Sequence, residues 1–159
     1  MDREPLVRWF LTNGADPNIL SDRGKISALG AAAGSSTPAV VDLLLSHGSI
    51  LSEAYPIHQA VARNDTNEEA IQMIDHFLDL GVDINFVQFE NHPELAREIS
   101  RELGTPLHWA AQGGRIERVL HLLKRGADAS KLSSKGRKPA EWAKTGRRAN
   151  REIVELLDR

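Results

Sequence analysis

Residues 105–114 read Thr105-Pro106-Leu107-His108-Trp109-Ala110-Ala111-Gln112-Gly113-Gly114, and Leu122-Leu123-Lys124-Arg125-Gly126-Ala127-Asp128 follows downstream. Each stretch marks one end of a helix. The Thr105 hydroxyl can cap a helix while Pro106 sits in its first turn, where a missing N–H costs nothing. The small pair Ala110-Ala111 lets a second helix approach closely. Val119, Leu122 and Leu123 recur at helical spacing and run into Gly126, the residue best able to take a left-handed cap.

Both phrases recur. The second returns as Asn13-Gly14-Ala15-Asp16-Pro17-Asn18, His47-Gly48-Ser49 and Leu80-Gly81-Val82-Asp83-Ile84-Asn85, with glycines 34, 33 and 45 residues apart. The first returns as Ser27-Ala28-Leu29-Gly30-Ala31-Ala32-Ala33, as Tyr55-Pro56-Ile57-His58-Gln59-Ala60-Val61, and as Lys138-Pro139-Ala140-Glu141-Trp142-Ala143-Lys144. Ser27 can cap as Thr105 does, whereas Tyr55 and Lys138 cannot supply that hydroxyl. A period near 33 predicts a stack of helix pairs, each burying its apolar face on a neighbour.

On these residues the sequence resembles the ankyrin-repeat family, most closely over 105–128. The resemblance covers essentially the whole chain, as a single domain 1–159. A half repeat at 1–22 is followed by repeats at about 22–50, 51–84, 85–128 and 129–159. It implies an all-α solenoid of about four and a half helix pairs, with a hairpin-like loop between pairs.

The irregularities carry information of their own. Around Tyr55 the loop after Gly48 is about five residues short. The same unit gains about five residues at 64–69, where Thr66-x-x-Glu69 reads as a capping box. A larger insertion of about 12 residues lies within 86–104. Leu95, Ile99 and Leu103 there predict a short helix near 92–103, ended by Gly104, with Glu94/Arg97 and Glu98/Arg101 on its opposite face. Two readings stand: the apolar stripe folds back on its neighbour, or the element contacts a partner. At the start, Leu6, Val7, Trp9, Phe10 and Leu11 form only the second helix of a unit, whose apolar face lacks its usual cover. A chain cut from a longer array is expected over a cap improvised before Pro5.

Composition bounds the function. Apolar residues make up 41 % of the chain and aromatics 5 %, so Ala and Leu carry the packing. No apolar run approaches the ~20 residues of a membrane span, and the charged Met1-Asp2-Arg3-Glu4-Pro5 is unlike a secretory signal. Cysteine is absent, which removes disulfides and thiolate metal sites and fits an intracellular protein, cytoplasmic or nuclear. The net charge of −2 divides into −8 over residues 1–119 and +6 over 120–159.

The six histidines invite a catalytic or metal reading, but none lies four residues from a second His around a Glu. No phosphate loop follows a strand, and Ser35-Ser36 lacks a nucleophile elbow. No enzyme activity, cofactor, metal or small-molecule substrate is expected. The resemblance gives His58 and His108 a structural role, hydrogen bonds that tie neighbouring loops. It places Trp109 and Trp142, at one repeat position, on the first helices towards the concave side. There they are either packed between helices or a pair of aromatic anchors for a partner.

The resemblance also points to loop tips and first-helix ends as contact positions. Those are Arg23 and Ile26, Ala62 and Arg63, Gln112 and Gly113, then Ser134, Lys135, Arg137 and Thr145. Lys135, Arg137, Lys138, Lys144, Arg147, Arg148 and Arg151 make the last unit basic. That end is either a solvated surface or a site for an acidic protein; with Trp142 the only aromatic among them, nucleic acid is discounted. The resulting expectation is a protein-interaction scaffold whose partner-binding residues are Trp109, Gln112, Trp142, Lys135, Arg137, Arg63 and Arg23. A regulatory or targeting segment of a larger enzyme is the alternative.

Overall fold

The computed structural model describes residues 3–21, 26–90, 93–99, 101–146 and 150–158. The chain divides into two compact units, Met1–Val82 and Asp83–Arg159. Among the described residues every regular element is helical, and none is long and apolar enough to cross a membrane.

The first unit holds α1 (Glu4–Thr12), α2 (Ala28–Ser35), α3 (Pro38–Ser46), α4 (Pro56–Ala62) and α5 (Asn67–Asp79), with a 3-10 turn at Leu51–Glu53. Helix α2 packs on α3 and on α4, α4 packs on α5, and α1 lies against α3. Small residues make this spacing possible. Ala32, Ala33 and Ala60 are buried, and a Cβ on Gly30 would stand 2.9 Å from the Ala54 carbonyl. Ile57, Val61, Ile74 and Phe77 fill the remaining core.

The second unit repeats the scheme with α7 (Pro106–Gln112), α8 (Ile116–Lys124), α9 (Pro139–Thr145) and α10 (Arg151–Leu157), preceded by the short α6 (Pro93–Glu98). Helix α7 packs on α8 and α9, and α10 on α9 and α8. Leu107, Ala110, Ala111, Val119, Leu122, Ala140, Ala143 and Ile153 form its core.

The recurring glycine phrase is a helix stop in each unit. Gly126 has φ +95° with open space around it, so its left-handed backbone, not crowding, demands glycine. Its N–H donates to Leu123 and that of Ala127 to Leu122, the two bonds of a Schellman cap. Gly14, Gly48 and Gly81 share the positive φ and the same pair of bonds. Asparagines then tie one loop to the next. Asn18 donates to Gly48 O and accepts from Ile50 N–H, and Asn85 accepts from Asp128 N–H at 2.8 Å.

The displaced loop behaves as its sequence suggests. Thr66 and Glu69 exchange side-chain-to-backbone bonds of 3.2 and 3.1 Å as a capping box on α5. Tyr55, in the place of the capping threonine, is left-handed at φ +45° and buried. The 86–104 insertion holds its short helix inside the expected span, but α6 stops at Glu98 instead of running to Leu103. The Leu103 backbone is used elsewhere: its N–H donates to Ser134 Oγ and its carbonyl accepts from Ser134 N–H. Gly104 therefore ends no helix. It is a close-packing position, since a Cβ there would lie 2.7 Å from that of His108 and 3.2 Å from the Trp142 ring. His92 and the side chains of Leu95 and Glu98, read as part of that helix, lie outside the described residues.

Arg63, read as a contact residue, is buried. Its side chain is 7 % exposed, and Nη1 donates to the carbonyls of Ala33 and Ser36 at 3.0 and 2.9 Å. Those carbonyls belong to the C-terminal end of α2, where a cation also favours the helix dipole. Asp65 accepts from Nε at 2.6 Å and holds the guanidinium in place. Arg63→Ala should therefore destabilise the protein by roughly 1–3 kcal/mol, and Arg63→Lys by less. Urea unfolding measures this, and an unchanged midpoint in the alanine variant would exclude the capping role.

Candidate interaction surface

A carboxylate organises the second unit. Glu102 lies on the extended chain between α6 and α7, with its side chain 8 % exposed. A carboxylate buried to that degree requires donors, and three residues of a later stretch supply them. Arg137 Nε lies 2.9 and 3.1 Å from the two oxygens, and its Nη2 reaches Oε2 to complete a fork. The Ser133 hydroxyl and Trp142 Nε1, the latter at 3.1 Å, both donate to Oε1. Bonding to Arg137 is the chief reason the Glu102 carboxyl titrates near 2 instead of 4.5; Ser133 and Trp142 add to it, and burial opposes it.

His108 completes the tie. The N–H and hydroxyl of Thr105 converge on its Nδ1 at 3.1 and 2.8 Å, which makes that nitrogen the acceptor. Nε2–H is then left to donate to the Arg137 carbonyl at 2.9 Å. Burial of the ring pushes its pKa below the usual 6.5, the direction this neutral tautomer requires. The Trp142 ring meets His108 edge to face at 5.1 Å, with the Arg137 guanidinium 6.0 Å from its centre.

This clasp separates the two tryptophans. Trp142 is 3 % exposed, held by Glu102, His108 and the close approach at Gly104. Of its two sequence readings, packing between helices agrees with this burial. Trp109 is only half-buried, with the Arg101 guanidinium 5.1 Å from its ring centre. Gln112 is exposed at the end of α7, and Lys135 is exposed on the turn closed by Gly136 at φ +74°.

The basic end is also changed. Arg137 is neutralised by Glu102, Lys144 approaches Asp158 at 3.3 Å and Arg151 pairs with Glu155 at 2.8 Å. Lys135 and Lys138 have no ion pair among the described residues. Arg23, Arg147 and Arg148 lie outside the described residues, and Arg63 belongs to the first unit as a helix cap. Sequence reasoning missed Glu102, which lies inside the 86–104 insertion. A glutamate 35 positions from its arginine has no local pattern to announce it. The nearest signal was its place just before the Gly104-Thr105-Pro106 phrase.

Among the described residues no group of His, Asp and Glu is placed to hold a metal ion. The ankyrin-repeat family model matches residues 104–133. No curated protein matches the chain. Glu102, Arg137 and Trp142 fall outside the matched unit, on either side of it.

Glu102 makes stability depend on acid. The unfolded chain protonates this carboxyl near 4.5 and the folded one only near 2. Between those values the unfolded state binds more protons, so the stabilisation is complete above pH 4.5 and disappears as pH falls towards 2. At most roughly 3 kcal/mol separates wild type from Glu102→Gln at neutral pH on this account. Chemical unfolding of both proteins from pH 7 to 2.5 should show their difference shrinking below pH 4.5. A difference independent of pH would be incompatible with an ionised Glu102 in the clasp.

Proposed function

We propose that this chain, which carries an ankyrin repeat at residues 104–133, is a protein-interaction scaffold without catalysis whose contact surface lies on its second unit. The observation that carries the reading is the half-exposed Trp109 under Arg101, with Gln112 exposed on the same helix. An aromatic ring and an arginine side by side are the residue types that dominate interface hot spots. The ring offers area at low entropic cost, and the guanidinium offers fixed donors to a partner's carboxylates.

The parts played by the other residues follow from their surroundings. Lys135 is the charged tip that attracts an acidic protein partner. Arg137 and Trp142 act through position: they hold the 131–137 loop against Glu102 and leave Lys135 projecting from a fixed turn. Arg63 contributes to the stability of the first unit and not to contact. Nucleic acid is disfavoured because three of the cations that could neutralise phosphates, Arg137, Lys144 and Arg151, already face carboxylates.

The test is affinity capture followed by titration of the captured partner. Trp109→Ala should weaken binding at least about tenfold, and Lys135→Glu should slow association with a loss of salt dependence. Circular dichroism would establish that both variants are folded. Undiminished affinity in both would reject the surface, and tight binding to single-stranded RNA or DNA at low salt would reject the class of partner.

A further inference from the structure

The 86–104 insertion is bonded to itself at its two ends. Gln88 N–H donates to the Gly104 carbonyl at 3.3 Å, and Gly104 is packed against His108 and Trp142. Around Gln88 the chain makes a closed turn. Glu90 N–H donates to the Val87 carbonyl at 3.0 Å, and the Glu90 carboxylate accepts from Val87 N–H at 3.3 Å. Phe89, inside that turn, is 4 % exposed with φ +62°, a backbone that a bulky side chain adopts only where its surroundings fix it. Gln88 beside it is 3 % exposed, and a buried amide needs partners. Its Oε1 accepts from Arg101 Nη2 at 3.4 Å, while the Arg101 guanidinium lies 5.1 Å from the centre of the Trp109 ring. Arg8, Arg63, Arg137 and Arg151 each face a carboxylate. The groups that hold Arg101 are an amide and an aromatic ring, both neutral, and Arg101 itself is exposed.

We propose that Gln88 is a positioning residue: it holds Arg101 beside Trp109 as a preformed seat for a carboxylate of an acidic protein partner. The inference rests on the reading of the second unit as a contact surface, and it makes the insertion part of that surface. Two physical arguments support it. A long side chain ordered before binding loses less rotamer freedom when the partner arrives. Neutral holders leave the charge of the guanidinium for the partner, and a single bond to Gln88 leaves most of its N–H donors for a carboxylate fork. Gln88 and Arg101 both lie outside the matched repeat at 104–133, so the cation and its holder come from the insertion.

NMR of the full chain, alone and titrated with a short blocked polyglutamate peptide, tests the proposal. In the wild type the Arg101 Nε–H should give an ordered resonance shifted by the Trp109 ring, and the peptide should move it saturably. Gln88→Leu should average that resonance and weaken peptide binding about three- to tenfold. Gln88→Glu keeps an acceptor but supplies a carboxylate of its own, so Arg101 should stay ordered while peptide binding still falls. A purely structural Gln88 would not divide order from binding in this way. Arg101→Ala, at an exposed position, should lose the peptide with the fold intact. These last two variants decide the matter even where Gln88→Leu fails to fold. An Arg101 as ordered, or as mobile, in Gln88→Leu as in the wild type would overturn the proposal. So would an ordered Arg101 that the peptide leaves unmoved, or a Gln88→Glu variant that binds the peptide undiminished. The readout in the free chain needs no natural partner. It is therefore separate from the Trp109→Ala capture, whose failure would reject the contact surface while the hold of Gln88 on Arg101 is decided by NMR.

Discussion

A carboxylate withdrawn from water must be met by donors, and at Glu102 all of them come from the stretch 133–142. Removing either member of such a pair leaves the other charge uncompensated, at a cost of about 3–5 kcal/mol when burial is complete. The interaction thus joins the irregular 101–104 segment to the loop before α9. It also dictates what lies between them. Leu103 must run extended to bond Ser134, Gly104 must be a glycine beside His108, and the Trp142 indole must turn inward to reach Oε1.

The surface follows from this interior arrangement. Trp109 and Trp142 occupy one repeat position, yet one ring is half-buried beside Arg101 and the other is closed in. The difference lies in what each ring meets, not in the helix that carries it. The formally basic end is moderated in the same way, because several of its cations are satisfied within the protein. Among the described residues Lys135 and Lys138 keep no ion pair, and Lys135 is held on a short turn whose hydrogen bonds run through Ser133.

The helices and their stops were legible because their chemistry is local. A glycine forced to positive φ, a proline in a first turn and the Thr66–Glu69 box each act within a few residues. The candidate site was legible only in part. Gln112 and Lys135 are exposed and Trp109 is half-buried. The capping contacts of Arg63 were not legible, because the α2 carbonyls it meets are 30 and 27 positions away. Trp142 was left ambiguous because its partner Glu102 is 40 positions distant. The inserted helix was read too long for a similar reason. Its apolar spacing favoured continuation to Leu103, but the backbone bonds to Ser134 compete for that residue.

The clasp is tested most directly by a double-mutant cycle between Glu102 and Arg137. Unfolding free energies of wild type, Glu102→Gln, Arg137→Gln and the double variant isolate the energy belonging to the pair. The structure predicts a coupling above about 1 kcal/mol, with the double variant less damaged than the two single losses added together. Strict additivity of the two substitutions would contradict it.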